Sequence, residues 1–519
     1  MTASLIGERI QDLLDRRSAV SLQQQLYRHL RTMIEEGTLR PSSRLPSTRS
    51  LATQLGVSRI TIVAAFDMLT ADGYLVGSIG SGTFVVERPP IRSHIVAARS
   101  VAPDAISLRG QLILSGAAGL QEREGAFLPG VPDVSAFPYA VWQKLQNRYL
   151  GQHLSQLSGY ANGGGYLPLR RALADYLRVA RGVRCSPDQV LITMGTQQSL
   201  DLILRLLTDS NDQVCIENPS HWAGALMLKS LGVRSIAVPV DREGIDMRDE
   251  HFAMNPKLVF ITPSHQFPLG SILSSSRRER LLLEAAQRNF WIVEDDYDSE
   301  LRYDQAPSPS LQGKDSAGRV IYLGTFSKVM YPGLRMSYLV VPPSLVHSMV
   351  RGLLSLYRPG HLPLQAALAD FINDGHLTRH LVNVRPLYAA RQAELRKCLA
   401  ETFGEAISLS SGFAGLHLTL RFRQAVDLDA LQAEAAKRDV LLRRLSAFNH
   451  ATGPFEDGFV LGYGALNQDD IGTAVRGLYQ AYLSVHKSPG HSGLGSRSIM
   501  FCISFSIAIW TIQSSGVGH

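Results

Sequence analysis

Val320-Ile-Tyr-Leu-Gly-Thr-Phe-Ser-Lys328 is an apolar run that ends in a lysine, and a second apolar run, Phe290-Trp-Ile-Val293, leads into Glu294-Asp295-Asp296-Tyr297, whose Asp295 stands 33 positions before that lysine. Each run reads as a buried strand that delivers charged groups at its C-terminal end. One supplies an amine; the other supplies a carboxylate and a phenol. An amine able to form a Schiff base, with an acid able to hold a pyridinium nitrogen, is the pair that pyridoxal phosphate requires of a protein.

Outward from this pair, short apolar runs alternate with helical patterns: Val190–Thr193, Gln213–Ile216, Leu258–Ile261 and Ser337–Val341. Continuous apolar strands separated by helices imply a mostly parallel sheet covered on both faces. Ligands of such sheets bind at the carboxyl ends of the strands. Met194-Gly-Thr-Gln-Gln-Ser199 follows one strand and opens a helix, so its amides suit a phosphate, although a plain helix cap explains it equally. Arg335 suits bidentate phosphate binding, and Thr325 and Ser327 add hydroxyl donors.

The first ninety residues read differently. Leu22, Leu26, Leu30 and Ile34 form one helical stripe stopped at Gly37; Ser47 caps a helix over Thr48–Leu55 ended by Gly56; Ser58 caps a third with Ile62, Ala65, Phe66 and Leu69 on one side. Tyr74–Val86 alternates around Gly80-Ser81-Gly82, a hairpin wing. Thr38–Phe66 holds Arg40, Arg44, Arg49 and Arg59 and no acid, which suits phosphate contact and guanine recognition. Ten arginines against eight acids leave residues 1–90 at only +2, so a dimer reading two half-sites of double-stranded DNA is expected.

Arg44-Leu-Pro-Ser-Thr-Arg-Ser-Leu-Ala-Thr-Gln-Leu-Gly-Val-Ser-Arg-Ile-Thr61 with the Gly80-Ser-Gly-Thr-Phe84 wing closely resembles the winged helix-turn-helix of the GntR family of bacterial repressors. That resemblance implies DNA contacts at Arg49, Ser58, Arg59, Thr61, Gly80 and Ser81. From Phe127 to Tyr482 the chain resembles fold-type I, class I aminotransferases. Gly195–Asp201, Thr262-Pro-Ser-His-Gln-Phe-Pro-Leu-Gly270, Glu294–Glu300 and Leu323–Lys328 look like the MocR subgroup, which fuses the two domains. The resemblance implies Lys328 as the internal aldimine lysine, Asp295 at the pyridine nitrogen and Tyr297 at the ring oxygen. It implies phosphate contacts from Thr196, Gln197, Thr325, Ser327 and Arg335, and from Tyr160 of the other subunit. The asparagine that aminotransferases place near the ring oxygen has no clean equivalent; His265 or Gln266 takes its place. Asn218-Pro-Ser-His221 stands where the subgroup often has a ring-stacking tyrosine, leaving His221 to stack. Val460, in Phe459-Val-Leu-Gly-Tyr-Gly464, occupies the position of the arginine that binds a substrate α-carboxylate, and Arg443 or Arg444 is the alternative source of a guanidinium.

At 519 residues, 45 % apolar and 19 % charged, with net charge +7, the chain is long enough for two cores. The expected architecture is multidomain: a winged helix-turn-helix (α+β) over 1–87 and a linker over 88–125. Residues 126–485 then form an α/β pyridoxal-phosphate-dependent transferase fold with a smaller C-terminal α+β subdomain, and 486–519 a disordered tail. Four cysteines without CxxC spacing point to a reducing compartment with neither zinc nor disulfides. The start of the chain lacks a signal pattern, so cytoplasm is expected. Ile499–Ile512 is apolar over fourteen residues, short of the ~20 a membrane helix needs. The function expected is a pyridoxal-phosphate-dependent transcriptional regulator, a homodimer sensing an amine or amino acid effector by exchange at Lys328. The rival is a working aminotransferase with an accessory DNA-binding domain.

Overall fold

A computed structural model describes residues 3–11, 13–78, 82–87, 106–117, 125–151, 157–160, 163–303, 309–412 and 414–486. The chain divides into two compact units, Met1–Ala105 and Ile106–His519.

The first unit is built on serine-capped helices. Helices span Leu22–Glu35, Thr48–Leu55 and Arg59–Ala71, with Ser21, Ser47 and Ser58 accepting from Gln24, Ser50 and Thr61 amides at 3.3, 3.1 and 3.1 Å. Gly56 ends the second of these at φ 59°, a left-handed geometry a β-carbon would strain. Leu26, Leu30, Leu51, Leu55, Ile62, Phe66 and Leu69 meet in one core. Strands β1 (Leu75–Ser78) and β2 (Gly82–Val85) pair antiparallel from Leu75↔Val85 to Ser78↔Gly82, as a wing requires. A further helix, Ala3–Gln11, was not anticipated; it buries Ile6 and Ile10 against the same core. The wing tip, with Gly80 and Ser81, lies outside the described residues.

The second unit carries an eight-stranded sheet of β3 (Val190–Thr193), β4 (Gln213–Asn218), β5 (Arg234–Asp241), β6 (Gly244–Ile245), β7 (Leu258–Ile261), β8 (Trp291–Asp296), β9 (Val320–Thr325) and β10 (Ser337–Val340). Their order is β3-β10-β9-β8-β7-β4-β5-β6. The run β9-β8-β7-β4-β5 is parallel, while β10 and β6 are antiparallel to their neighbours. Alternate residues enter different clusters: Val190 and Ile192 pack in one, Leu191 in another. This is the pattern of strands buried on both faces. Strand β5 escaped the sequence reading because Arg234-Ser-Ile-Ala-Val-Pro-Val-Asp241 is polar at both ends and contains Pro239, which has no amide to give a ladder.

A four-stranded antiparallel sheet follows, of β11 (Ile407–Leu409), β12 (His417–Phe422), β13 (Arg443–Arg444) and β14 (Phe459–Gly462), in the order β11-β12-β14-β13. Leu418, Leu420, Phe459 and Leu461 share a core with Leu399 and Phe403 of helix His376–Phe403 and with Val475 and Leu478 of helix Gln468–His486. Within residues 88–125, read from sequence as a linker, Leu108–Ala117 is helical, and a β-carbon at Gly116 would come 2.2 Å from Leu226. Two glycines hid this helix, although Ser107 caps it by accepting from the Gly110 amide at 3.1 Å, and the distant helix Trp222–Ser230 gives it a partner. The tail over 487–519 lies outside the described residues.

Strand β8 is fixed from one side. Arg181 and Asp296, each with a side chain 1 % exposed, form a two-point pair at 2.6 and 3.2 Å. Tyr322 and Ser299 donate to the same carboxylate at 2.5 and 2.9 Å, and Arg181 donates to Ser264 Oγ at 2.8 Å. Arg181→Ala should lower stability by about 3–5 kcal/mol, because it strands a buried carboxylate. Arg181→Met with Asp296→Leu should recover most of that loss, and urea unfolding of the three proteins measures the difference.

Candidate functional site

Strand alternation turns Asp295 to the face opposite Asp296. Asp295 as a whole is half-buried, but its Oδ1 is sealed from solvent and has no protein partner. Burial first, then the charges of Asp296, Asp298 and Glu217, push its carboxyl up to about 8. A sealed acceptor without a donor fits the N–H that a protonated pyridine nitrogen would offer.

Lys328 follows β9, and its Nζ donates to the Gly130 carbonyl at 2.6 Å. Burial lowers its pKa from the ordinary lysine value, while Asp298 and Asp295 oppose that shift. A lowered pKa favours the neutral amine that attacks carbonyls. Tyr297 OH lies 3.2 Å from His265 Nδ1, and the same nitrogen lies 2.9 Å from Asp298 Oδ2. The acidic run Glu294, Asp296, Asp298, Glu300 was visible in sequence, but the pairing of Asp298 with His265 was not.

A phosphate cradle sits at the start of helix Thr196–Leu207. Gly195 adopts φ 101° there, and a β-carbon on it would come 3.0 Å from Arg335 Nη2. Glycine thus admits the guanidinium beside a helix N-terminus with free amides. Thr196 and Gln197 are the first two helical residues, and Gln197 is exposed. Arg335 itself is exposed and left-handed at φ 49°, an unusual backbone for arginine that a site can impose. Nearby, the Ser327 amide donates to Thr325 Oγ1 at 3.2 Å and Ser337 Oγ donates to it at 2.9 Å. An orphaned acceptor, a buried amine and a cationic cradle fit pyridoxal phosphate.

One expected residue falls elsewhere. The Gln266 amide donates to Glu217, to the Pro219 carbonyl and to the Phe267 carbonyl at 3.2, 2.8 and 2.7 Å, which commits it to the end of β4 and to its own loop. His265, not Gln266, reaches Tyr297. Tyr160 is 77 % exposed beneath the Arg358 guanidinium, 5.5 Å from its ring centre.

His221 borders a cavity of about 1170 Å³ that also involves Trp222, Lys229, Arg234, Phe267, Arg443, Phe448 and His450. Its ring stacks on Trp222 at 5.5 Å, and its Nδ1 accepts from the Ala223 amide at 3.3 Å. Burial by the cavity walls lowers the His221 imidazole to about 4, and the charges of Lys328 and His450 push it the same way. Pro129 and Val131, which flank the Gly130 that holds Lys328, also line this cavity. Val460 is fully buried with Leu445 and Phe448. Arg443 faces Val460 in register across β13 and β14, and so shares its side of the sheet. Arg444 instead pairs with Asp457 at 2.5 Å and with Asp429.

In the first unit Arg49, Ser58 and Arg59 are exposed and Thr61 is half-buried. Arg59 Nε reaches Thr48 Oγ1 at 3.4 Å, tying the two helices of the motif together. Arg16 donates to the Leu55 and Gly56 carbonyls at 3.0 Å, satisfying the end of the first of them.

The family of bacterial regulatory proteins called gntR matches residues 22–85, and the aminotransferase class I and II family matches residues 135–454. A probable rhizopine catabolism regulatory protein, MocR, of Rhizobium meliloti is 38 % identical over 92 % of this chain and 97 % of its own. The pyridoxine biosynthesis transcriptional regulator PdxR of Corynebacterium glutamicum is 32 % identical over 87 % and 94 %. Among solved structures, the α-aminoadipate aminotransferase LysN of Thermus thermophilus, complexed with a phosphopyridoxyl-leucine, superposes with TM-score 0.67 at 27 % identity, covering 74 % of this chain and 98 % of its own.

Without cofactor, the raised Asp295 pKa adds stability that is present below the unfolded value of about 3.9 and is lost as pH rises toward about 8. Asp295→Asn should escape that loss, so its melting temperature relative to wild type should climb across this window. Its affinity for pyridoxal phosphate should fall. Parallel pH profiles of the two apo proteins would contradict the assignment.

Proposed function

The chain belongs to the MocR type of gntR-family regulators, DNA-binding transcriptional regulators with an aminotransferase-like domain that uses pyridoxal phosphate, and from that premise we infer that the large unit is a sensor of amines. Pyridoxal phosphate, when bound, supplies an aldehyde carbon that takes an amine covalently. Lys328 is the chain's own amine for that position, which an effector amine would contest. The Gly130 carbonyl would hold the Lys328 amine when it is free, at the 2.6 Å contact described above. Asp295 holds the ring nitrogen. Tyr297, oriented by His265, takes the ring oxygen. Thr196, Gln197, Thr325, Ser327 and Arg335 hold the phosphate, and His221 covers the ring.

The observation that carries a sensing role is Val460. An arginine there would grip an α-carboxylate and orient the Cα–H bond for proton loss. The cavity beside it contains Lys229, Arg234 and Arg443 and no acidic residue among the described ones, so an effector with both an amine and an acidic group suits it. Arg443, one strand further out, favours an acid group set farther from the amine than in an α-amino acid, since neighbouring strands lie about 4.8 Å apart.

We propose a homodimer in the cytoplasm. Exposed Tyr160, together with exposed Val134, Tyr139, Leu150 and Leu167 in the same stretch, supports a subunit contact there. Sedimentation of the cofactor-loaded protein at micromolar concentration should give a dimer.

Amines of the right class should change the cofactor absorbance and operator affinity in parallel, with turnover far below ordinary enzyme rates of about 1–1000 per second. Rapid transamination of a common amino acid with unchanged DNA affinity would favour an enzyme instead. Arg443→Gln should weaken acid-bearing amines at least tenfold and leave simple alkylamines unchanged. Val460→Arg should improve binding of α-amino acids.

A further inference from the structure

The recognition helix Arg59–Ala71 turns two large apolar side chains to solvent. Ile60 is 81 % exposed and Val63 is 37 % exposed. They stand three residues apart and therefore share a face. Their neighbours Ile62, Ala65, Phe66 and Leu69 point the other way and are buried. Ile60 contributes nothing to the domain core, and Ser58, not Ile60, caps the helix. The exposed face is framed by Arg59 on the same helix and Arg49 on the preceding one, both exposed.

An apolar pair flanked by guanidinium groups matches one surface in particular. In the major groove the phosphates lie at the edges, and the only apolar group on a base edge is the thymine 5-methyl. The first residues of a recognition helix are those that reach base edges. A protein surface would also accept Ile60 and Val63, but the stretch Thr38–Phe66 carries four arginines and no acid, which favours a polyanion.

We propose that Ile60 and Val63 read thymine methyl groups, setting sequence preference while Arg49 and Arg59 anchor the helix. The proposal rests on the DNA-binding role of this unit and on Arg59–Ala71 as its recognition helix.

The test uses the full-length, cofactor-loaded protein. A duplex is selected from a pool randomised over thirty base pairs, then resynthesised with single thymine-to-deoxyuridine changes, which remove only the methyl. Wild type should bind about fourfold more weakly at one or more thymines in each half-site, equivalent to ~0.8 kcal/mol for one buried methyl. Ile60→Ala, or Val63→Ala at its own thymine, should abolish that penalty. Ala is a good helix former, so these variants keep the fold. Indifference of the wild type to every such change overturns the proposal. So does an Ile60→Ala protein whose affinity falls while its methyl penalties persist, since Ile60 would then touch protein. Arg59→Ala separates the premise from the proposal: it should weaken binding at all duplexes, and wild-type affinity in that variant would mean that this helix is not the reader.

Discussion

The Arg181–Asp296 pair governs how the cofactor site is aimed. Two charges taken out of water lose several kcal/mol each, and their attraction repays this only when the remaining hydrogen bonds are made. Here they are: Tyr322 and Ser299 complete the carboxylate, and Ser264 completes the guanidinium. A one-residue slip of β8 would leave Arg181 buried without a partner and turn Asp296 to the other face. The pair therefore works as a register pin. With Asp296 pinned, Asp295 must project to the opposite face, where its sealed oxygen waits for a donor.

Around that pin the site is electrostatically unfinished. Glu217, Glu294 and Glu300 are buried and each is pushed up to about 7, first by burial. Lys328 is displaced the opposite way by the same loss of water. Of these acids Glu217 acts on Asp295, whose own carboxyl is also held toward neutrality, so a cation arriving beside Asp295 would be favoured. The same pocket replaces two features associated with turnover. His265, not an asparagine, is the residue that reaches Tyr297, and Val460 is buried where the resemblance would put an arginine.

The small unit follows a different economy. Its net charge is low and its helices are secured by local devices: three serine caps, the left-handed Gly56, and Arg16 on the carbonyls that end a helix. Arginines at its surface that reach phosphate supply attraction without sequence information. Discrimination must come from the few side chains that reach base edges, which makes the exposed apolar pair on the recognition helix informative.

Much was legible in the sequence because it is local. Caps and a glycine stop fixed the helix Thr48–Leu55 to the residue and the start of helix Arg59–Ala71, and the apolar runs Val190–Thr193 and Leu258–Ile261 appear unchanged as strands. The two-domain plan, the cofactor and the pairing of Asp295 with Lys328 at neighbouring strand ends followed from the same local signals. What stayed hidden depends on partners distant in the chain. Arg181 meets Asp296 across 115 residues, His265 meets Asp298 across 33, and Lys328 meets Gly130 across 198. Helix Leu108–Ala117 has no periodic signal of its own, and its packing against helix Trp222–Ser230 arises only when the chain folds back. Gln266 and His265 are adjacent in sequence, yet only the folded loop decides that one amide serves the backbone while the neighbouring imidazole reaches Tyr297. Residue type and spacing determined which chemistry the chain carries; long-range packing decided which groups are aimed at it, because direction and burial belong to the assembled sheet and not to any one segment.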